Sequence, residues 1–362
     1  MPILIFPSDF YMLPTMKTLL HAGLTGKIDM TPKEAFKKVL RHESVNPVPF
    51  SIKFTVEAKE KMVARYGEEF DPVRDTGSYV VASHTNSGWK EVRPGYFKDN
   101  FGVVWNKTQD RTLGMVDQPL ITEPTLKGFV FPDPDDAPLY RFIEKDKRCY
   151  PEHFHMASIG FSLFERAWSL VGMEELMVYL LTEREFISDL LNQIADYNIR
   201  LIPNAAALGV DCIHFGDDWG SQHGPLISPE LWCDLIKPPF QRMCRASHEA
   251  GLTVSLHCCG NVEALMDNIL ECGVDVFDPF QPEAMDIWKL RDQYRGRLAF
   301  WGGLSVQKTM PYGTPEQVRA ETRKLLTEMA PGGGYIISPA HSVSGDVPIE
   351  NIEAFLETVR AQ

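Results

Sequence analysis

Apolar, β-prone runs recur along this chain at Val48–Phe54, Ser78–Ala82, Met156–Ser162, Asp211–Phe215, Thr253–Leu256, Asp275–Phe280, Leu298–Trp301 and Tyr335–Ser338. They are short and bounded by turn residues, the pattern of buried strands. Between most of them the apolar positions take a helical period, most clearly over Phe164–Leu181, Glu183–Leu208, Pro229–Ala250, Val262–Glu271 and Pro315–Met329. Helix starts are well marked. Thr31 reads as an N-cap, Pro32 as the first helical position and Glu34 as the partner in a capping box, with the helix running to about Arg41. Ser228-Pro229-Glu230 and Thr314-Pro315-Glu316 repeat the signal. Eight strands alternating with helices predict an α/β fold, a single-domain (β/α)8 TIM barrel over 31–362. A doubly wound open sheet is the alternative, but no Gly-x-Gly-x-x-Gly follows any early strand.

Two stretches break the alternation. Residues 1–30 carry scattered apolar groups with no clear period and read as an N-terminal extension. A longer excursion, about 84–147, follows the second strand. It holds an aromatic hairpin from Tyr96 to Trp105 with Asp99-Asn100-Phe101-Gly102 at its middle, then a linker at Phe131-Pro132-Asp133-Pro134-Asp135-Asp136. Excursions of this length are often lids or binding loops, so a lid-like insertion is expected. Gly332-Gly333-Gly334 precedes a strand and reads as a turn rather than a phosphate cradle.

Charge and cysteine usage narrow the function classes. The 362 residues carry 36 basic and 49 acidic side chains, a formal net charge of −13, which argues against nonspecific binding to nucleic acid or anionic membranes. Met1 to Phe6 is too short for a signal-peptide core, and no run of 18 apolar residues spans a bilayer. Seven cysteines without a secretory signal do not read as a disulfide framework. A reduced, cytoplasmic protein is expected.

The candidate chemistry lies at strand ends. His257-Cys258-Cys259-Gly260 follows the run Leu252–Leu256, and His341 follows Tyr335–Ser338. In a parallel barrel these ends line one mouth, where active sites sit. His257, Cys259 and His341 there would make a three-ligand zinc site with an open fourth position. His223, in a nearby loop, is a candidate fourth ligand. Without a metal, the same residues would be a packed cysteine and hydrogen-bonded histidines. Cys258 should point to the opposite side as a buried apolar group. Asp217 and Asp218 close another strand and are candidates for handling protons, binding a hydroxyl or amine, or orienting a ligating histidine; helix capping is the plainer role. Gln281 and Trp301 each end a strand and, with Phe161, are candidate substrate-binding residues. Gln281 could instead satisfy loop backbone, and Trp301 and Phe161 could be packing.

These and other segments together resemble the uroporphyrinogen decarboxylase-like superfamily, which includes zinc-dependent, corrinoid-linked methyltransferases. The resemblance runs from about Thr31 to the C-terminus. Its carriers are Thr31-Pro32-Lys33-Glu34 with Arg41-His42-Glu43, Gly216-Asp217-Asp218-Trp219-Gly220, Pro225-Leu226-Ile227-Ser228-Pro229-Glu230, His257-Cys258-Cys259-Gly260-Asn261, Gln281-Pro282-Glu283, Phe300-Trp301-Gly302-Gly303 and Gly332-Gly333-Gly334-Tyr335. The decarboxylase branch holds its polycarboxylate substrate with arginines after the first strand, where this chain has Ser51-Ile52-Lys53-Phe54, and has an aspartate after the second, where this chain has Ser83-His84-Thr85-Asn86. The methyltransferase branch uses His-x-Cys plus a distant cysteine as zinc ligands. His257 and Cys259 match the pair, and His341 stands at the distant position. The resemblance therefore implies a zinc-dependent methyltransferase working with a corrinoid (cobalamin) carried by a partner protein. Its small-molecule partner would be an O- or N-methyl donor or a thiol acceptor, and a homodimer is among the assemblies the resemblance implies. The alternatives are a metal-free decarboxylase-like lyase and a non-catalytic tetrapyrrole- or corrinoid-binding barrel.

Overall fold

The structure, a computed structural model, describes residues 30–362 except Ser87; the expected N-terminal extension lies almost wholly outside them. Seven parallel strands form one sheet: β1 (Val80–His84), β6 (Phe154–Ile159), β7 (Cys212–Gly216), β8 (Thr253–His257), β9 (Val276–Phe280), β10 (Ala299–Leu304) and β11 (Tyr335–Pro339), adjacent in that order. They are almost wholly buried and flanked by helices, as continuous apolar runs require. Every ladder is parallel and in chain order, so all the strand C-termini share one end.

The expected first strand, Val48–Phe54, is not a regular ladder. It contributes isolated bridges, Phe50 with Ile337 and Phe54 with Val343, while the Phe50 carbonyl accepts from Tyr79 N. Pro47 and Pro49 lack the N–H groups that an unbroken ladder would use. The segment thus touches the last strand on one side and the entry to the first on the other.

The helix Pro32–Leu40 carries the expected capping box. Two expected helices are each divided in two. Gly172, at φ 94°, separates Phe164–Val171 from Met173–Thr182. Pro238 and Pro239 cannot donate to the preceding turn, so Pro229–Leu235 stops and Lys237–Glu249 starts afresh. Val262–Glu271 opens as a 3-10 turn before becoming α-helical at Met266.

The insertion forms a four-stranded antiparallel sheet: β2 (Lys90–Arg93), β3 (Tyr96–Lys98), β4 (Val104–Asn106) and β5 (Met115–Val116). The predicted hairpin is β3–β4, paired Phe97 with Trp105. Its turn is clamped to the helix Phe164–Val171 beside the parallel sheet. Asp99 accepts from Val103 N at 3.0 Å, from Trp105 Nε1 at 3.2 Å and from the Arg166 guanidinium at 2.7 Å, and both charged groups are buried. Arg166 also lies 4.1 Å from the Phe101 ring centroid. Trp105 packs 4.7 Å from Phe161 and 6.1 Å from Trp168.

Removing one member of a buried pair leaves the other charge without compensation. Arg166→Ala should therefore cost about 3–5 kcal/mol in urea unfolding. In the double variant with Asp99→Ala the loss should fall well short of the sum of the singles.

Candidate metal centre

β8 ends at His257 and β11 at Pro339, so the loops that follow both open at the C-terminal end of the sheet. There the ring nitrogens of His257 and His341 and the Cys259 sulfur all lie within 4.8 Å of one another. His257 Nε2 is 3.4 Å from Cys259 Sγ, and the two imidazoles meet edge to face with centroids 5.6 Å apart. His341 is open to solvent and the other two are half-buried.

The loop that carries Cys259 is held by three contacts. Asp218 accepts from Cys259 N at 2.7 Å, Gln281 Oε1 accepts from Gly260 N at 2.6 Å, and Ser221 O accepts from Asn261 N at 2.6 Å. Gly260 has φ 83°, and a Cβ there would sit 2.5 Å from the Gly220 carbonyl carbon, so the two loops approach closely only because both positions are glycine. Cys258 faces away, buried, with its sulfur accepting from Trp219 N.

Behind His257 lies a group that the sequence reading passed over. Asp278, buried within β9, places Oδ2 2.7 Å from His257 Nδ1, 3.3 Å from Lys53 Nζ and 3.8 Å from His214 Nε2. Burial alone would raise its pKa, but Lys53 and then His257 outweigh it and hold the carboxyl well below the usual range. An ionised carboxylate only accepts, so the proton of the Asp278–His257 bond sits on Nδ1 and Nε2 faces Cys259. Burial disfavours charge on His257, yet Asp278 and Cys259 together raise its pKa well above normal. Burial raises the Cys259 thiol, with His257 pulling the other way. His214 is held neutral by burial and by Lys53, with Nδ1 2.9 Å from Ser255 Oγ. A soft thiolate and two imidazoles are a donor set suited to zinc, and the hydrogen-bonded Nδ1 is the arrangement that ligating histidines usually have.

The remaining candidates are dispersed. Asp217 is wholly buried and caps the helix Phe164–Val171, accepting from the backbone N–H of Leu163, Phe164 and Glu165 and from Trp219 Nε1 at 2.7–3.2 Å. Gln281 is occupied by the Gly260 amide. Trp301 is buried, donates to Ser51 Oγ at 2.8 Å, and lies 4.3 Å beneath the Lys53 ammonium. Phe161 is half-buried at φ 52°, a left-handed backbone that an aromatic residue adopts at a cost. His223 is exposed, outside the cluster that joins His257, Cys259 and His341. Glu165, also passed over, is raised well above a normal carboxyl by burial, then by Asp218 and Asp217. All seven cysteines are unpaired, and no helix among the described residues is long and apolar enough to cross a membrane.

Residues 109–362, more than half of the chain, match the uroporphyrinogen decarboxylase (URO-D) family, and the chain belongs to it. It is 26% identical over 197 residues to the methylated-thiol–coenzyme M methyltransferase of Methanosarcina mazei, covering 54% of this chain and 50% of that one. It is 21% identical over 190 residues to the methylcobamide:CoM methyltransferase MtaA of Methanosarcina barkeri, covering 52% and 53%. The alignments span about half the length of these relatives. Others carry the uroporphyrinogen decarboxylase name itself. A solved methyltransferase structure from Methanosarcina mazei shares the fold, with TM-score 0.71 and 16% identity, over 91% of this chain and 98% of that one.

Burial pushes Asp217 up to about 6 against the pull of its four donors. The native state then holds this proton to about pH 6, while the unfolded chain releases it near pH 4. That contribution to stability is full below pH 4 and is lost as pH climbs to 6. Asp217→Asn should flatten this part of the stability profile measured by urea unfolding at stepped pH. Asp217→Ala, which strands four donors, should cost roughly 2–4 kcal/mol at any pH.

Proposed function

We propose that this protein is a zinc-dependent methyltransferase that moves a methyl group between a small substrate and a corrinoid carried by a partner protein. The observation that carries the reading is the convergence of His257 Nε2, Cys259 Sγ and the His341 ring at the open end of the sheet, backed by Asp278. The methylated-thiol and methylcobamide names of the relatives support the reaction class. Bound there, zinc would act as a Lewis acid on a substrate oxygen, nitrogen or sulfur in its open position, easing loss or gain of the methyl group.

The protein's own groups would do the rest. Asp278 fixes the His257 tautomer, and Asp218 and Gln281 hold the Cys259 loop. Glu165, raised well above a normal carboxyl by burial and by Asp218 and Asp217, is the group we assign to hand a proton to a departing alkoxide or amine. Phe161, backed by Trp105 and Trp168, is assigned as the apolar wall for the methyl group. We read Trp301 as support for Lys53, and residues 48–54 as the eighth stave that completes the barrel mouth. Asp217 has its oxygens engaged by four donors. That disfavours it as the proton-handling acid of a metal-free lyase.

Two imidazoles and one thiolate around a divalent ion leave a net charge near +1. Such a centre is a stronger Lewis acid than one with two thiolates, which favours an O- or N-methyl donor over a thiol acceptor. Protein purified without added metal should carry one zinc per chain and transfer methyl from an O- or N-methyl donor panel to cob(I)alamin. Chelation or Cys259→Ala should abolish transfer. Turnover that survives complete metal removal would overturn the reading and favour the lyase. Asp278→Asn should weaken zinc binding about 10- to 100-fold in a chelator competition.

A further inference from the structure

His257 belongs to two overlapping sets of donors. On its Nε2 side stand Cys259 and His341; on its Nδ1 side stand Asp278 and His214, and the donors of this second set also lie within 4.8 Å of one another. A neutral imidazole has one lone pair, so Nδ1 can bind a metal only if it gives up the proton it donates to Asp278. Geometry alone would let either set compete. Lys53 breaks the tie. Its ammonium lies 3.3 Å from the same Asp278 oxygen that accepts from His257, and the Trp301 ring 4.3 Å away helps to hold it. Trp301 is fixed in turn by Ser51, two residues before Lys53.

We propose that Lys53 is a positioning residue that directs the metal to the Cys259–His341 side of His257 by occupying, with its own charge, the cation position beside Asp278. A divalent ion held by Asp278 and His214 would lie within a few ångströms of this ammonium, and like charges at that range repel. With Lys53 in place, Asp278 is satisfied by two donors and serves His257 from behind. With Lys53 uncharged, Asp278 and His214 become a second, thiol-free cation site that draws His257 away from Cys259. The proposal rests on the reading of His257, Cys259 and His341 as the metal centre.

The test is cobalt(II) titration of the full-length, metal-free protein, followed by metal content and by sulfur-to-cobalt charge-transfer absorption. Wild type should bind a single cobalt with strong sulfur absorption, and Cys259→Ala should bind it poorly. Lys53→Met should bind cobalt with weakened sulfur absorption or take up a second ion. The double variant Lys53→Met/Cys259→Ala should bind cobalt at least about 10-fold more tightly than Cys259→Ala alone, and adding Asp278→Asn should remove that gain. Lys53→Arg should behave as wild type. Lys53→Gln offers an uncharged variant of similar length should Lys53→Met fold poorly. Equal cobalt affinity in Cys259→Ala and the double variant overturns the proposal. Wild type that binds cobalt with no sulfur absorption overturns the metal-centre reading instead, a result the comparison of the two alanine backgrounds does not depend on.

Discussion

A buried carboxylate must find positive charge or hydrogen-bond donors, and Asp278 finds them on two elements. His257 comes from β8 and Lys53 from the segment bridging to β11, while the neutral His214 ring on β7 stands 3.8 Å away. The side chain of one β9 residue thus fixes the tautomer of the central imidazole and draws in the irregular segment at residues 48–54. A parallel sheet suits this arrangement. Neighbouring strands in register bring His257 opposite Asp278, and Gly216 opposite His257, so the charged groups meet without long loops. Breaking any one contact leaves the carboxylate partly uncompensated in a region with little water to replace it.

The insertion depends on the same principle. Asp99 and Arg166 are buried together, and Arg166 starts from the helix that Asp217 caps. Trp105 on the inserted hairpin reaches Phe161, whose left-handed backbone turns its ring toward the hairpin. The lid expected from the sequence is therefore joined to the helix Phe164–Val171 and the loop before it by an ion pair and tilted and edge-on aromatic contacts. Any motion that opens this part of the insertion must expose both charges and these rings together.

What the sequence revealed and what it hid follow one physical division. Capping at Thr31 and Thr314, the buried strands and the His257–Cys259–His341 cluster were legible, because they rest on local chemistry or on residues at strand ends. Asp278, Lys53 and His214 lie inside runs read as apolar strands, where period counts treat a polar residue as noise. A buried acid flanked by Phe277 and Phe280 was the available signal, since such a group demands a partner. Gly172 and the Pro238–Pro239 pair were visible breakers, but helical periodicity on both sides masked them. The capping role of Asp217 was open as the plainer alternative. It could not be chosen without knowing that a helix from another part of the chain begins beside it.

The charge layout also bears on which substrate the proposed metal centre would suit. A carboxylate behind a ligating histidine feeds electron density to the metal and would soften the Lewis acidity inferred from the donor set. Here Lys53 shares that carboxylate, 3.3 Å from the oxygen that lies 2.7 Å from His257 Nδ1. In the proposed zinc centre, a histidine in place of a second thiolate at position 341 would favour an oxygen or nitrogen leaving group over a thiolate acceptor. Glu165, raised well above a normal carboxyl by burial and by Asp218 and Asp217, is the group assigned to supply the proton that a departing alkoxide or amine takes up, whereas a thiol acceptor must lose one.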